Sequence, residues 1–232
     1  MDVITQPQRK TWPSEEVAVP PLHNGDHLTR AEFERRYAAH QDVKKAELIE
    51  GVVYVPSPVS LEHSHRHAVV MGWLLHYCAA TPGLRLLDNA TVKLDADNEV
   101  QPDAALCVAK RGQTKVAGSY LRGAPELIVE IAATSATYDL HEKLNVYRRS
   151  GVREYVVLLT HERQTLWFRL NEGRYDPVEP ATTGSYHSEI FPGLSFATGL
   201  FWADESAGLL NALQATIATS EHARFVKSLS IS

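Results

Sequence analysis

The sequence predicts an α+β (α/β) fold, and three observations carry that prediction. Short apolar runs of strand length recur, above all Pro125-Glu126-Leu127-Ile128-Val129-Glu130-Ile131 and Glu154 to Leu159, and their near-continuous apolarity suits strands buried on both faces. Between the runs lie stretches with apolar residues at helical spacing, near 60–80 and from Asp139 to Ser150. Thr81-Pro82-Gly83 and Gly151 stop those two helices.

In chain order, residues 1–25 are polar and proline-rich and read as a flexible arm, with a short strand at Val17-Ala18-Val19. Thr29-Arg30-Ala31-Glu32 is a capping-box pattern, in which Thr29 accepts from the Glu32 amide and Glu32 reaches back; a helix over 30–40 follows. Ala46 to Pro56 reads as two strands around Glu50-Gly51, where Gly51 supplies the positive φ of a tight turn. After the helix over 60–80, residues 84–94 and 100–109 read as a hairpin. Lys110 to Arg122 is a basic, glycine-containing loop, a candidate lid or groove wall. The strand ending at Ile131 leads through small residues to a helix that Ser135 or Thr137 caps. Glu154–Leu159 pairs with Leu166–Leu170, residues 188–197 hold a closing strand or loop, and Asp204 caps a C-terminal helix with Leu209, Leu210, Leu213 and Ile217 on one face. That face offers itself to the domain or to a homodimer contact.

The bulk numbers exclude several classes. The 232 residues are 44% hydrophobic and 22% charged, the profile of a globular chain. No apolar run approaches the ~18 residues of a membrane span. Met1 to Glu16 has no apolar signal core, and Cys78 and Cys107 both lie in apolar runs, so a cytoplasmic protein with reduced core thiols is expected. The formal net charge is −5, so a nucleic-acid partner would need a local basic groove or a shared metal.

Chemistry concentrates in a few residues. Glu130 follows Ile128 and Val129 on a strand with both faces buried, where an unpaired charge costs roughly several kcal/mol. Something positive should meet it. Leu140, Lys143, Leu144 and Tyr147 share a helical stripe that must face the sheet, so Lys143 reads either as a snorkelling lysine at the stripe's edge or, more sharply, as an inward ammonium paired with Glu130 and Asp103. Asp103 sits at the polar end of an apolar strand, on one face with Ala105 and Cys107. Glu126 is expected at the open, solvated end of its strand. Glu47 reads either as an exposed edge carboxylate or as a third acidic group. His63 and His67 stand at i and i+4, the spacing of two zinc ligands on one helical turn, but with no cysteine or further histidine at ligand spacing they read more simply, with His65, as a polar cluster at a partly exposed helix N-terminus; a second use, together with Arg66, is to meet phosphates at the mouth of a site.

Glu47-Leu48-Ile49-Glu50-Gly51, Ser57-Pro58 with His63, Gln101-Pro102-Asp103 and Pro125 to Ile131 occur in that order. Asp139, Lys143-Leu144, Tyr147, Gly151-Val152, Glu154-Tyr155 and Phe191-Pro192-Gly193-Leu194 follow. Together these stretches resemble the bacterial putative restriction endonuclease family of the PD-(D/E)XK nuclease superfamily. The resemblance implies a restriction-endonuclease-like mixed central sheet flanked by helices over residues 26–200, with residues 201–232 as a C-terminal helical extension. It implies Mg²⁺-dependent DNA cleavage, with Asp103 as the motif aspartate and Glu130 as the motif glutamate. The lysine usually two residues after that glutamate is Ala132 here, and Lys143 takes its place on the next helix. Glu47 matches the acidic residue of the family's first strand. One departure is visible: a Leu-Ser-Pro-Ser-like turn reads Ala132-Ala133-Thr134-Ser135, where only Ser135 remains, so the loss of a supporting hydrogen bond is expected while the metal cluster is untouched.

In this reading Asp103, Glu130 and the Ile131 carbonyl bind Mg²⁺, for which Mn²⁺ can substitute. Lys143 orients the attacking water or offsets developing charge, Glu47 serves a second metal, and Tyr147 bonds Lys143 or a phosphate. The alternative is a non-catalytic, nuclease-like nucleic-acid-binding or scaffold dimer; a third is a zinc protein built on His63 and His67.

Overall fold

A computed structural model describes residues 18–40, 42–133 and 136–230. Residue Val17 of the expected first strand and Ser135 lie outside them; Ala18 and Val19 are not in a strand. Helix α1 (Arg30–Ala39) starts as its capping pattern requires, with the Glu32 amide donating to Thr29 Oγ1 at 3.3 Å. The reciprocal half of the box is replaced: Glu32 turns to Arg35 and Arg36. Strands β1 (Glu47–Ile49) and β2 (Val52–Tyr54) flank a turn in which Glu50 as well as Gly51 has positive φ, a combination that matches the twist of a two-residue hairpin. Helix α2 (Leu61–Ala80) is capped by Ser60 and is followed by Thr81-Pro82-Gly83.

The hairpin expected over 84–109 forms, but it is divided between two sheets. Its far arms, β3 (Leu84–Asp88) and β6 (Ala104–Val108), pair antiparallel. Asn89, at φ 46°, and the Gln101-Pro102-Asp103 stretch break both arms. Beyond the break, β4 (Val92–Lys93) and β5 (Glu99–Val100) join β1 instead. The basic loop carries its own hairpin, β7 (Lys115–Ala117) and β8 (Tyr120–Arg122). It extends the smaller sheet, whose order is β2-β1-β5-β4-β8-β7. The hairpin is thus separated from Glu47 on β1 by two intervening strands, and the expectation of a lid or groove wall gives way to a sheet edge.

Strand β9 (Leu127–Ala132) is buried along its whole length. The next helix begins as α3 (Ala136–Tyr138), widens into a π-helical turn over Asp139–Lys143 and continues as α4 (Leu144–Ser150), ending on Gly151 at φ 88°. Thr137 lies inside the helix rather than at its cap. Strands β10 (Glu154–Leu159), β11 (Gln164–Asn171) and β12 (Arg174–Pro177) complete a mixed sheet of order β12-β11-β10-β9-β6-β3, parallel only at β9–β10. A small pair, β13 (Ser185–His187) and β14 (Ser195–Ala197), leads into α5 (Thr198–Trp202), α6 (Ser206–Ile217) and α7 (Ser220–Ser230). The expected single C-terminal helix is therefore a run of helices. Asp204 does not cap α6; Glu205 holds that position, and the Asp204 carboxylate binds Arg66 at 2.6 Å.

The strand period distributes the core. Val129 and Ile131 of β9 face α2 and α6, meeting Trp73, Leu74, Leu209 and Leu213. The apolar face of α6 is thus buried within the chain. Ile128, Ala105 and Cys107 face the other way and pack with Ile49, Val92 and Val100 of the smaller sheet and with Val146 and Tyr147 of α4. Helix α1 covers the far side of the smaller sheet through Phe33, Leu48 and Val53. The even-numbered face of β9, which carries Glu130, is therefore enclosed between the two sheets and α4. Among the described residues no helix is long and apolar enough to cross a membrane.

Candidate active site

The break in the hairpin creates the site. Pairing of β6 with β9 ends at Ala104↔Val129. Past that point Asp103 diverges, and the free amide of Ile131 donates to Asp103 Oδ2 at 2.9 Å. In return the Asp103 amide donates to Glu130 Oε2 at 3.3 Å. These two bonds lace the carboxylates together over one gap in the sheet. In a strand the N–H and C=O of one residue point to the same side, so the Ile131 carbonyl faces that gap too.

Lys143 enters from the π-helical turn and is buried, as the sharper reading of the helical stripe has it. Its Nζ lies 2.9 Å from Glu130 Oε1, 2.9 Å from Glu47 Oε2 and 3.6 Å from Asp139 Oδ1. Lys143 pairs with these three carboxylates and not with Asp103, which corrects the expected pairing. Glu47 is not an exposed edge carboxylate: it is buried, and its second oxygen accepts from the Gln101 amide at 2.7 Å. Tyr147 donates to Glu130 Oε1 at 2.8 Å, and Lys143 donates to the same oxygen instead of bonding Tyr147. Asp139, which its sequence position marks only for the helix dipole, becomes the third carboxylate around Lys143.

Asp103 draws its counter-charges from elsewhere. His63 Nε2 sits 3.1 Å from Oδ2, and Lys45 Nζ lies 3.4 Å from Oδ1. His67 Nε2 meets the Asp103 carbonyl oxygen at 2.9 Å. The two imidazoles stack, with centroids 6.2 Å apart. The Nε2 of each histidine thus serves Asp103, and that of His67 also lies 3.2 Å from Asp88 Oδ1. Among the described residues there is no group of three or more His, Cys, Asp or Glu side chains that could hold a metal ion.

The electrostatics follow from burial and partners. Burial pushes the Glu130 carboxyl up to about 7; Lys143 pulls it down, and Asp103, Asp139 and Glu47 push it up again. Burial also acts to raise Asp103, but the His63 hydrogen bond and the charge of Lys45 hold it below its ordinary value. The hydrogen bond to Asp103 raises His63 in turn, against its own desolvation. For Lys143 desolvation acts downward, and the surrounding Glu130, Glu47 and Asp139 overcome it, leaving the ammonium well above its usual range. Three carboxylates, Glu47, Glu130 and Asp139, thus meet around the one ammonium of Lys143.

Glu126 corrects a sequence expectation. It is buried rather than solvated, and it accepts from the amides of Val108 at 3.0 Å and Gln113 at 2.7 Å. Lys45 and Asn89, which join at 3.0 Å, are the residues that pattern reading passes over. Both lie in loops, where no periodicity marks a direction.

The model of the family described as "Uma2: Putative restriction endonuclease" matches residues 30–199. No curated protein matches the chain. Among solved structures, the chain is similar to a crystal structure from Anabaena variabilis ATCC 29413 described as "a putative nuclease belonging to DUF820". That similarity has 15% identity and a TM-score of 0.57, and it covers 80% of this chain and 99% of the other. At that identity the likeness bears on the fold, and it agrees with the mixed sheet flanked by helices. The family match spans Glu47, Asp103, Glu130 and Lys143 alike, and the chain belongs to the Uma2 family of putative restriction endonucleases.

Proposed function

We propose that the protein is a metal-dependent endonuclease that hydrolyses DNA phosphodiester bonds, using Mg²⁺ with Mn²⁺ as a substitute. Family membership supports nuclease chemistry. The observation that carries the finer reading is the lacing of Asp103 to Glu130 across the sheet gap, with Lys143 buried on Glu130.

The donor chemistry suits a hard divalent cation. Asp103, Glu130 and the Ile131 carbonyl are oxygen donors, and Mg²⁺ is customarily held by one or two carboxylates while keeping several waters. Glu130 Oε2 and Asp103 Oδ1 accept only long contacts, of 3.3 Å and 3.4 Å, and are the least committed oxygens of the two carboxylates. Burial is the main cause that lifts Glu130, and the nearby Asp103, Asp139 and Glu47 add to it; a dication would offset the charge of those neighbours. When bound, the ion supplies Lewis acidity that lowers the pKa of water and relieves charge on the phosphate.

The chain's own residues do the rest. Lys143 and Tyr147 fix Glu130 Oε1, so its other oxygen is oriented toward Asp103. Glu47 and Asp139 hold the Lys143 ammonium in place and keep it charged. Lys143 also places a cation where negative charge develops as the phosphate reacts. His63 orients Asp103.

Plasmid nicking by the purified protein with Mg²⁺, Mn²⁺ or EDTA tests this reading, beside Asp103→Asn and Glu130→Gln. Metal-dependent nicking that both variants lose while remaining folded, as circular dichroism would show, is expected. Nicking that persists undiminished in either variant, or no nicking by the folded wild type with any metal, refutes it.

A further inference from the structure

The cluster has a closed side and an open side. The Lys143 side chain is 5% exposed and its carboxylate partners are about as hidden, whereas Lys45 is 26% exposed and His63 21%. A phosphate therefore reaches the gap past Asp103, on the side where Lys45 stands. The chain carries a formal charge of −5, so attraction of a polyanion falls to such local cations.

Lys45 is held in a particular way. Its shorter bond, 3.0 Å, goes to the neutral Asn89 Oδ1; its contact with Asp103 is 3.4 Å. Asn89 adopts a left-handed φ of 46°, which asparagine tolerates better than most residues, and its amide nitrogen is anchored on Asp88 at 2.8 Å. A lysine retained only as the counter-ion of Asp103 would be drawn to the carboxylate. Here an uncharged amide positions it, and Asp103 has other support from His63 and the Ile131 amide.

We propose that Lys45 is a substrate-contacting residue whose ammonium binds a phosphate oxygen of the DNA backbone at the open side of the Asp103–Glu130 gap. Asn89 is its positioning residue. This rests on the nuclease reading and extends it, for Lys45 then supplies a second cation at the phosphate, opposite the buried Lys143.

The test is binding of a labelled DNA duplex in EDTA over a range of salt concentrations, which needs no metal and no turnover. Each phosphate contact contributes about 0.9 to the slope of log K against log salt. Lys45→Gln is expected to weaken binding and to reduce that slope by about one. Lys45→Arg, which keeps the charge, should restore it, and Asn89→Ala should weaken binding in the same direction. With Mg²⁺, the KM of Lys45→Gln should rise more than its kcat falls. An unchanged slope in Lys45→Gln and unchanged binding in Asn89→Ala, while the wild type binds and cleaves, overturn the assignment of Lys45 alone. Equal losses in Lys45→Gln and Lys45→Arg also overturn it, because charge would not be the cause. A wild type that neither binds nor cleaves overturns the nuclease reading itself.

Discussion

Glu126 and Glu130 lie four residues apart, one just before β9 and the other within it, and each is 3% exposed. Their partners differ in kind. Glu126 accepts from two backbone amides, Val108 and Gln113, which cannot ionise or leave, so it staples the 108–113 segment to the sheet. Glu130 meets an ammonium, a phenol and one distant amide, and the nearby Asp103, Asp139 and Glu47 add to the upward push of burial. Burial alone therefore does not mark a carboxylate for chemistry. Ionisable partners brought from another element, with one oxygen left lightly held, do so better.

The contrast can be broken most severely at Lys143. Lys143→Met leaves Glu47, Glu130 and Asp139 without their shared cation and should cost about 3–5 kcal/mol of stability, read by urea unfolding, together with all nicking. Glu130→Gln comes next: nicking should drop about a hundredfold or more with Mg²⁺, while the fold persists. Glu126→Gln should invert that result. It keeps one good acceptor but loses the second, so unfolding should ease by about 1–3 kcal/mol while nicking of the folded protein stays within a few-fold of wild type. If Glu126→Gln abolishes nicking at full stability, the two glutamates have been assigned the wrong way round.

The smallest effect sharpens the comparison through pH. The folded Glu130 carboxyl, raised by burial to about 7 from an ordinary 4.5, favours its proton more than the unfolded chain does. Its contribution to stability is present below the ordinary carboxylate range and is lost as pH rises through about 7. The metal-free wild type should therefore lose stability between about pH 5 and 8, and Glu130→Gln should lose less. Some decline remains in the variant, since burial also raises Glu99 to about 7.

How much of this was legible follows from what pattern can encode. The strand period put Glu130 in the interior, the helical stripe turned Lys143 inward, and the two met as expected. The main core strands and α2 were equally readable, because long apolar runs have one place to go. The smaller sheet was not, since β4 and β5 are two residues each and merge with their neighbours in any hydropathy pattern. The partners of Asp103 were hidden for another reason. Lys45 and His63 lie 58 and 40 residues from it, and no local rule selects one loop lysine over the next. The π-helical turn at Asp139–Lys143 also left no trace, although it sets how Asp139 and Lys143 meet. Glu126 misled because an acidic residue at a strand end usually faces water; loop amides closing over it decided otherwise.

The split of one hairpin across two sheets has a kinetic consequence. Glu47 comes from the smaller sheet, Glu130 from the larger and Lys143 from a helix that follows the larger sheet's β9. No single unit contains the cluster, and its closures join segments far apart in the chain, which makes them slow to form. On refolding, helical circular dichroism should return first and DNA cleavage last, so the regain of activity becomes a clock for the moment the two sheets dock.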